Sequence, residues 1–165
     1  MAAGRQHRRI ARRLTSGPLQ PVALSAGRAG LIAFDADVLI HAAAIDHPLG
    51  LPVRQLLARA RGDAPAGIGS VLLLAEVLTT PMRADPESAE VGALISMLSQ
   101  LDLRPVDDAT GRLALALAVK YGLRAADATH LATAVSAGAD LLLTNNRKDF
   151  GRRITEVEVV HPDEL

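Results

Sequence analysis

The segment LRAADATHLATAVSAGADLLLTNN, residues 123–146, places a helix, a stop and a strand in immediate succession. Apolar and small residues keep a helical period from Ala126 to Ala137, Gly138 stands where a helix C-cap belongs, and Leu141 to Leu143 form a short apolar run. Three polar residues, Thr144, Asn145 and Asn146, close the segment.

The same alternation extends through the chain from residue 31. Strands are predicted at Leu31 to Phe34, Ala66 to Ile68, Leu101 to Val106, Leu141 to Leu143 and Val157 to Val160. Helices are predicted at about Val38 to Ala44, Val53 to Ala60, Val71 to Thr79, Ser88 to Ser99, Ala109 to Tyr121 and Ala126 to Ala137, with Gly122 as a second C-cap. Strands and helices in alternation imply an α/β domain with right-handed crossovers, here a three-layer α/β/α arrangement around a parallel sheet of about five strands.

Composition narrows the chemistry. The chain has 165 residues, enough for one domain with a real core. Hydrophobic residues make up 49% and aromatic ones 2%, so the core is built from Ala, Leu, Val and Ile. With no cysteine, disulfides, thiolate zinc sites and thiol nucleophiles are excluded, and any metal is held by oxygen or imidazole. Apolar stretches such as Val71 to Ala75 and Leu113 to Val119 fall far short of the roughly 20 residues of a membrane span, so a soluble, cytoplasmic protein is expected. Residues 1–30 hold 6 Arg and no acid, leaving 12 cations against 18 acids in the rest. This first stretch reads as a basic, flexible extension, and residues 31–165 as the folded domain.

In a parallel α/β sheet, ligands gather beyond the carboxyl ends of the strands. Asp35 directly follows the first predicted strand, Glu76 lies in SVLLLAEVL, and Asp127 stands near the start of the helix in residues 123–146. The helix around Glu76 is apolar nearly all round and is expected to be buried, so its carboxylate needs a partner. One partner is an ion pair with Arg147 or Lys148. The other is a divalent cation, because three acids at one sheet edge raise one another's pKa unless a cation neutralises them. Mg²⁺ or Mn²⁺ suits an all-oxygen donor set and supports phosphodiester hydrolysis without a covalent intermediate. Asp37 has two readings, on the face of Asp35 if the strand continues, or capping the helix near Val38; the cap is favoured. Ser70 also reads as a cap. His130, three residues after Asp127, reads first as a packed histidine and second as one that orients a carboxylate.

With these motifs in view, the sequence resembles the PIN-domain ribonucleases, most closely the toxins of VapBC-type toxin–antitoxin modules, from about Leu31 to Val160. FDADVLI is similar to the family's first motif, SVLLLAEVL to the second with its Glu, and residues 123–146 to the third. The resemblance implies an endoribonuclease with Asp35, Glu76 and Asp127 as catalytic carboxylates and metal ligands, Thr144, Asn145 and Asn146 in support, RNA as substrate, a homodimer, and an antitoxin that blocks the site. Many members carry a fourth acid where this chain has Asn146; Asp149 is the nearest substitute, and one firmly bound metal, with the second arriving with substrate, is the expectation.

RKDFGRR offers Arg147, Lys148, Arg152 and Arg153 to flanking phosphates, or forms a solvated turn. With Phe34, Tyr121 and Phe150 as the three aromatic residues of the chain, base stacking is scarce, so recognition of unpaired bases by aromatic platforms is not expected and substrate shape and backbone matter more. The helix Val91 to Leu101 carries a Leu, Ile and Met stripe that serves as core or as interface. Two rival functions remain. FDADVLI also resembles the nucleophile motif of haloacid-dehalogenase phosphatases, with Asp35 as nucleophile, although Lys120 precedes rather than follows Thr144. A catalytically weak PIN-fold module that binds RNA or a partner is the other.

Overall fold

The computed structural model describes residues 30–60, 64–151 and 153–165. The predicted extension therefore lies outside the described residues except for Gly30, as does Arg152. Five strands alternate with six helices: β1 (Ile32–Phe34), α1 (Ala36–Ala43), α2 (Gly50–Leu57), β2 (Gly67–Ser70), α3 (Leu72–Ala84), α4 (Ala89–Leu98), β3 (Leu101–Arg104), α5 (Asp108–Tyr121), α6 (Ala125–Ser136), β4 (Leu141–Leu143) and β5 (Glu158–Val160), followed by a single 3₁₀ turn, Pro162–Glu164. All strand pairings are parallel and the sheet order is β3-β2-β1-β4-β5.

Side chains alternate across a strand, and here each face has its own cover. Ile32, Phe34, Leu141, Leu143 and Val160 join a core with α1, α2, α3 and α4. Ala33, Ile68 and Leu142 join the opposite one, with α5, α6 and the segment around Phe150. The result is the expected three-layer fold. Each core contains one buried phenylalanine, Phe34 or Phe150; Tyr121 joins the second and Met97 the first, and aliphatic side chains supply the rest. The stripe on α4 is core: Val91, Leu94, Met97 and Leu98 are buried and only Ile95 stands out.

Element ends differ where local signals compete. Asp35, not Asp37, caps α1, so the helix begins two residues early and Asp37 sits exposed in its first turn. Ser70 ends β2, yet its Oγ still accepts from Leu72 N at 3.1 Å at the start of α3. Helix α3 runs one turn past Thr79, through Pro81. Gly122 and Gly138, at φ 70° and 67°, follow α5 and α6 as predicted.

Gly67 makes the close approach of β2 to β1 possible: a β-carbon there would stand 2.4 Å from Ile32 O and 2.6 Å from the Phe34 ring. Gly67→Ala is expected to cost about 1–3 kcal/mol through overpacking. Thermal melting should show a fall of about 2–12 °C; an unchanged melting temperature would mean the strands separate freely.

Candidate active site

The strand order reverses between β1 and β4, and at such a switch point the chain segments leaving the two strands diverge and open a crevice. Asp35 leaves β1 and Thr144 leaves β4. The sheet joins them, since Asp35 N donates to Leu143 O at 3.0 Å. The side chains join them again: Thr144 Oγ1 donates to Asp35 Oδ2 at 2.6 Å, while Asp35 Oδ1 accepts from Ala36 N at 2.8 Å as helix cap. Asp35 is 4% exposed. Burial pushes its carboxyl pKa up, with help from the charge of Asp37 and against His130, Thr144 and the Ala36 amide.

Thr144 is itself anchored. Its N donates to Val160 O at 3.1 Å, its Oγ1 accepts from Asn146 N at 3.1 Å, and its carbonyl takes a 2.7 Å hydrogen bond from His161 Nδ1. A carbonyl only accepts, so His161 carries its proton on Nδ1. Asn146 then folds the loop back on Asp149: Asn146 Nδ2 donates to Asp149 Oδ2 at 2.9 Å and Asp149 N donates to Asn146 Oδ1 at 3.2 Å.

Asp127 lies in the first turn of α6. Its pKa is raised by burial first, then by the charges of Asp35 and Asp149, against the Asn146 amide and His130. Asp127 thus feels the charges of both Asp35 and Asp149. Asp149, a secondary candidate from sequence, belongs to this group because the Asn146 turn returns it.

Glu76 corrects one expectation. Helix α3 buries Leu73 and Val77 but leaves Val71 and Leu74 exposed, because only one of its faces packs inward. The Glu76 side chain is accordingly 30% exposed, and its partner is His130 Nε2. His130 is buried, and its Nε2 also stands 3.9 Å from Asp35 Oδ1. Burial works to lower its pKa, but the Glu76 hydrogen bond and the charges of Asp35, Glu76 and Asp127 prevail and raise it. Its Nδ1 is buried without a hydrogen-bond partner. The packed-histidine reading held the first place in the sequence, yet His130 also connects two of the candidate carboxylates; the i, i+3 spacing from Asp127 was the available signal.

The predicted cation run is mostly engaged elsewhere. Arg147 pairs with Asp163 and lies 4.0 Å from Glu164, and Arg153 donates to Tyr121 O at 2.8 Å. Of the described members, Arg153 is exposed and held only by that carbonyl, and Lys148 is exposed with neither an ion pair nor a hydrogen bond among the described residues. Neither Arg147 nor any other Arg or Lys bridges Asp35, Glu76, Asp127 or Asp149 among the described residues. Lys120, which a dehalogenase-type phosphatase would need at the site, is held by Glu156 at 2.7 Å beside Tyr121.

The donor chemistry fits a hard divalent cation: carboxylates and amide oxygen, mutually repelling, with no basic side chain to neutralise them apart from His130. The carboxylates are not drawn into one coordination sphere, for no group of three or more His, Asp or Glu stands at metal-binding spacing among the described residues. Glu76, turned to His130, accounts for part of the gap.

Comparison with known proteins accords with this fold. Residues 32–154 match the PIN domain family. A toxin–antitoxin complex from Klebsiella pneumoniae contains a similar chain, with TM-score 0.62 at 24% identity, covering 82% of this chain and 99% of that one. A second similar chain belongs to VapBC2 from Rickettsia felis bound to a DNA fragment from their promoter, with TM-score 0.62 at 18% identity over 79% of this chain and 98% of that one. A search of curated protein sequences returned no match. No helix among the described residues is long and apolar enough to cross a membrane. From the family match over residues 32–154 and the carboxylates at the switch point of a five-stranded parallel sheet, the chain belongs to the PIN domain family of nucleases.

Proposed function

We propose that this chain is an Mg²⁺- or Mn²⁺-dependent endoribonuclease acting as the toxin of a type II toxin–antitoxin pair, with residues 31–165 as the catalytic domain. The observation that carries the reading is electrostatic: the charge of Asp35 reaches Asp127, both carboxyls have raised pKa values, and no Arg or Lys among the described residues bridges them. Asp35, Asp127 and Glu76 would hold the ion, and Asp149 with the Asn146 carbonyl would extend the donor set on the other side. The bound ion supplies Lewis acidity toward water and phosphate. Thr144 fixes the Asp35 carboxylate, Asn146 fixes Asp149, and His130 fixes Glu76. Asp149 restores the charge that Asn146 lacks. Lys148 is the cation left to meet a flanking phosphate.

The toxin role is supported by the two similar chains, each solved as part of a toxin–antitoxin complex. An antitoxin and a second copy of the chain are the partners this reading assigns in the cytoplasm. Purified, partner-free protein should cleave a mixed RNA pool with Mg²⁺ or Mn²⁺, and chelator or Asp127→Asn should stop it. RNA binding without cleavage in either metal would instead support a binding module.

A further inference from the structure

The imidazoles of His41 and His47 stack face to face beside the crevice, with centroids 4.0 Å apart and planes inclined by 3°. Both residues are half-buried. Their Nδ1 edges are occupied: Asn145 Nδ2 lies 3.4 Å from His41 Nδ1, and Leu49 N donates to His47 Nδ1 at 3.3 Å. An amide N–H can only donate, so each ring accepts at Nδ1. Burial first and then His47 lower the His41 pKa, against Asp37. Each ring covers one face of the other, so the pair offers the outer face of a two-ring stack.

Its position ties it to the site. Asn145 follows Thr144, the residue bonded to Asp35. On α1, Asp37 and His41 are four residues apart and share a face, and the charge of Asp37 acts on both Asp35 and His41. His41 lies six residues beyond Asp35, about 9 Å along a helix axis. The phosphate grip nearby is thin, because Arg147 and Arg153 are engaged elsewhere and Asp37 repels phosphate. With Lys148 as the cation left for a flanking phosphate, contacts to the base would add to the grip.

We propose that the His41–His47 stack is a binding platform for an unpaired nucleobase of the RNA strand, next to the nucleotide whose phosphate is cut. The inference rests on the ribonuclease reading and deepens it. Stacking on an aromatic face is tolerant of base identity, while the Nε2 edges add hydrogen-bonding groups. The expectation that ring stacking is scarce counted Phe and Tyr; the folded chain assembles its flat surface from two histidines instead.

The test uses the full chain carrying Asp127→Asn, so that RNA survives, and a short single-stranded RNA with one 2-aminopurine, whose fluorescence falls on stacking. His41→Ala and His47→Ala are each expected to weaken binding by about 5–150-fold and to abolish the quench. His41→Phe, which keeps a ring, should restore both, and His41→Gln, which keeps polarity alone, should not. In the otherwise wild-type chain, His41→Ala should raise KM for single-stranded RNA and leave kcat within about twofold. If Asp127→Asn binds RNA and the alanine variants bind equally well, or Phe and Gln behave alike, the platform is wrong while the nuclease reading stands. If the wild-type chain cuts no RNA and Asp127→Asn binds none, both fall together.

Discussion

Asp35→Asn is expected to lower RNA hydrolysis by more than about a hundredfold and, in chelator, to raise the melting temperature. The first effect follows from removing a proposed ligand, since changes to groups that only support a metal ligand already cost about 10–100-fold. The second follows from burial. Asp35 and Asp127 have folded-state pKa values above the ordinary 3.8, so the folded protein binds those protons more tightly than the unfolded chain does. Their stabilising contribution is complete below 3.8 and is lost as pH rises from there through the raised folded values. Above those raised values the metal-free protein carries the penalty of holding both carboxylates ionised. Asparagine lifts it at position 35 while still capping α1, a position it suits as well as aspartate. A divalent cation should stabilise the wild type by about 2.7 kcal/mol at a hundredfold excess over its Kd, or about 5–10 °C of melting temperature, and Asp35→Asn should lose most of that gain. Equal melting with and without Mg²⁺ or Mn²⁺ in the wild type would remove the metal from this crevice.

What was legible in advance depended on how local the deciding interaction is. The span from Ala126 to Leu143 was read nearly residue for residue, because a helical period gives way at Gly138 to an apolar run with no competing signal. Asp35 and Asp37 are both good caps two residues apart, and the choice between them is made by Asp35 N bonding to Leu143 O, over a hundred residues away. The apolar run around Glu76 suggested burial on all sides, but only the packing of α3 on its neighbours tells which face is inward. Arg147 adjoins the site in sequence and turns away because Asp163 and Glu164 return beside it at the chain end. Asp149 looked too distant from Asn146 until the reciprocal hydrogen bonds of that turn brought it back. The three candidate carboxylates came from motif and strand position, and Thr144 and His130 were already candidates to bond a carboxylate; which carboxylate each meets is decided by segments remote in sequence.

Those remote partners make Thr144 the sharpest test of how the site is held. Thr144→Val keeps the shape but removes the hydroxyl that donates to Asp35 Oδ2, a buried bond, and accepts from Asn146 N, a half-buried one. An orphaned buried group costs about 1–3 kcal/mol, which should appear as a fall of about 2–12 °C in melting temperature. Activity at neutral pH should drop about 10–100-fold, the usual range for a group that orients a ligand. The hydroxyl lowers the Asp35 pKa, so its loss lets burial push that carboxyl higher still. Protons then compete with the cation at higher pH, and the acid limb of the activity profile should move upward. Thr144→Ser, which keeps the hydroxyl, should restore the acid limb and most of the rate even if it packs less well. An acid limb that stays in place in Thr144→Val would mean the hydroxyl only fills space, and that the orientation of Asp35 is set by the Ala36 amide and the sheet alone.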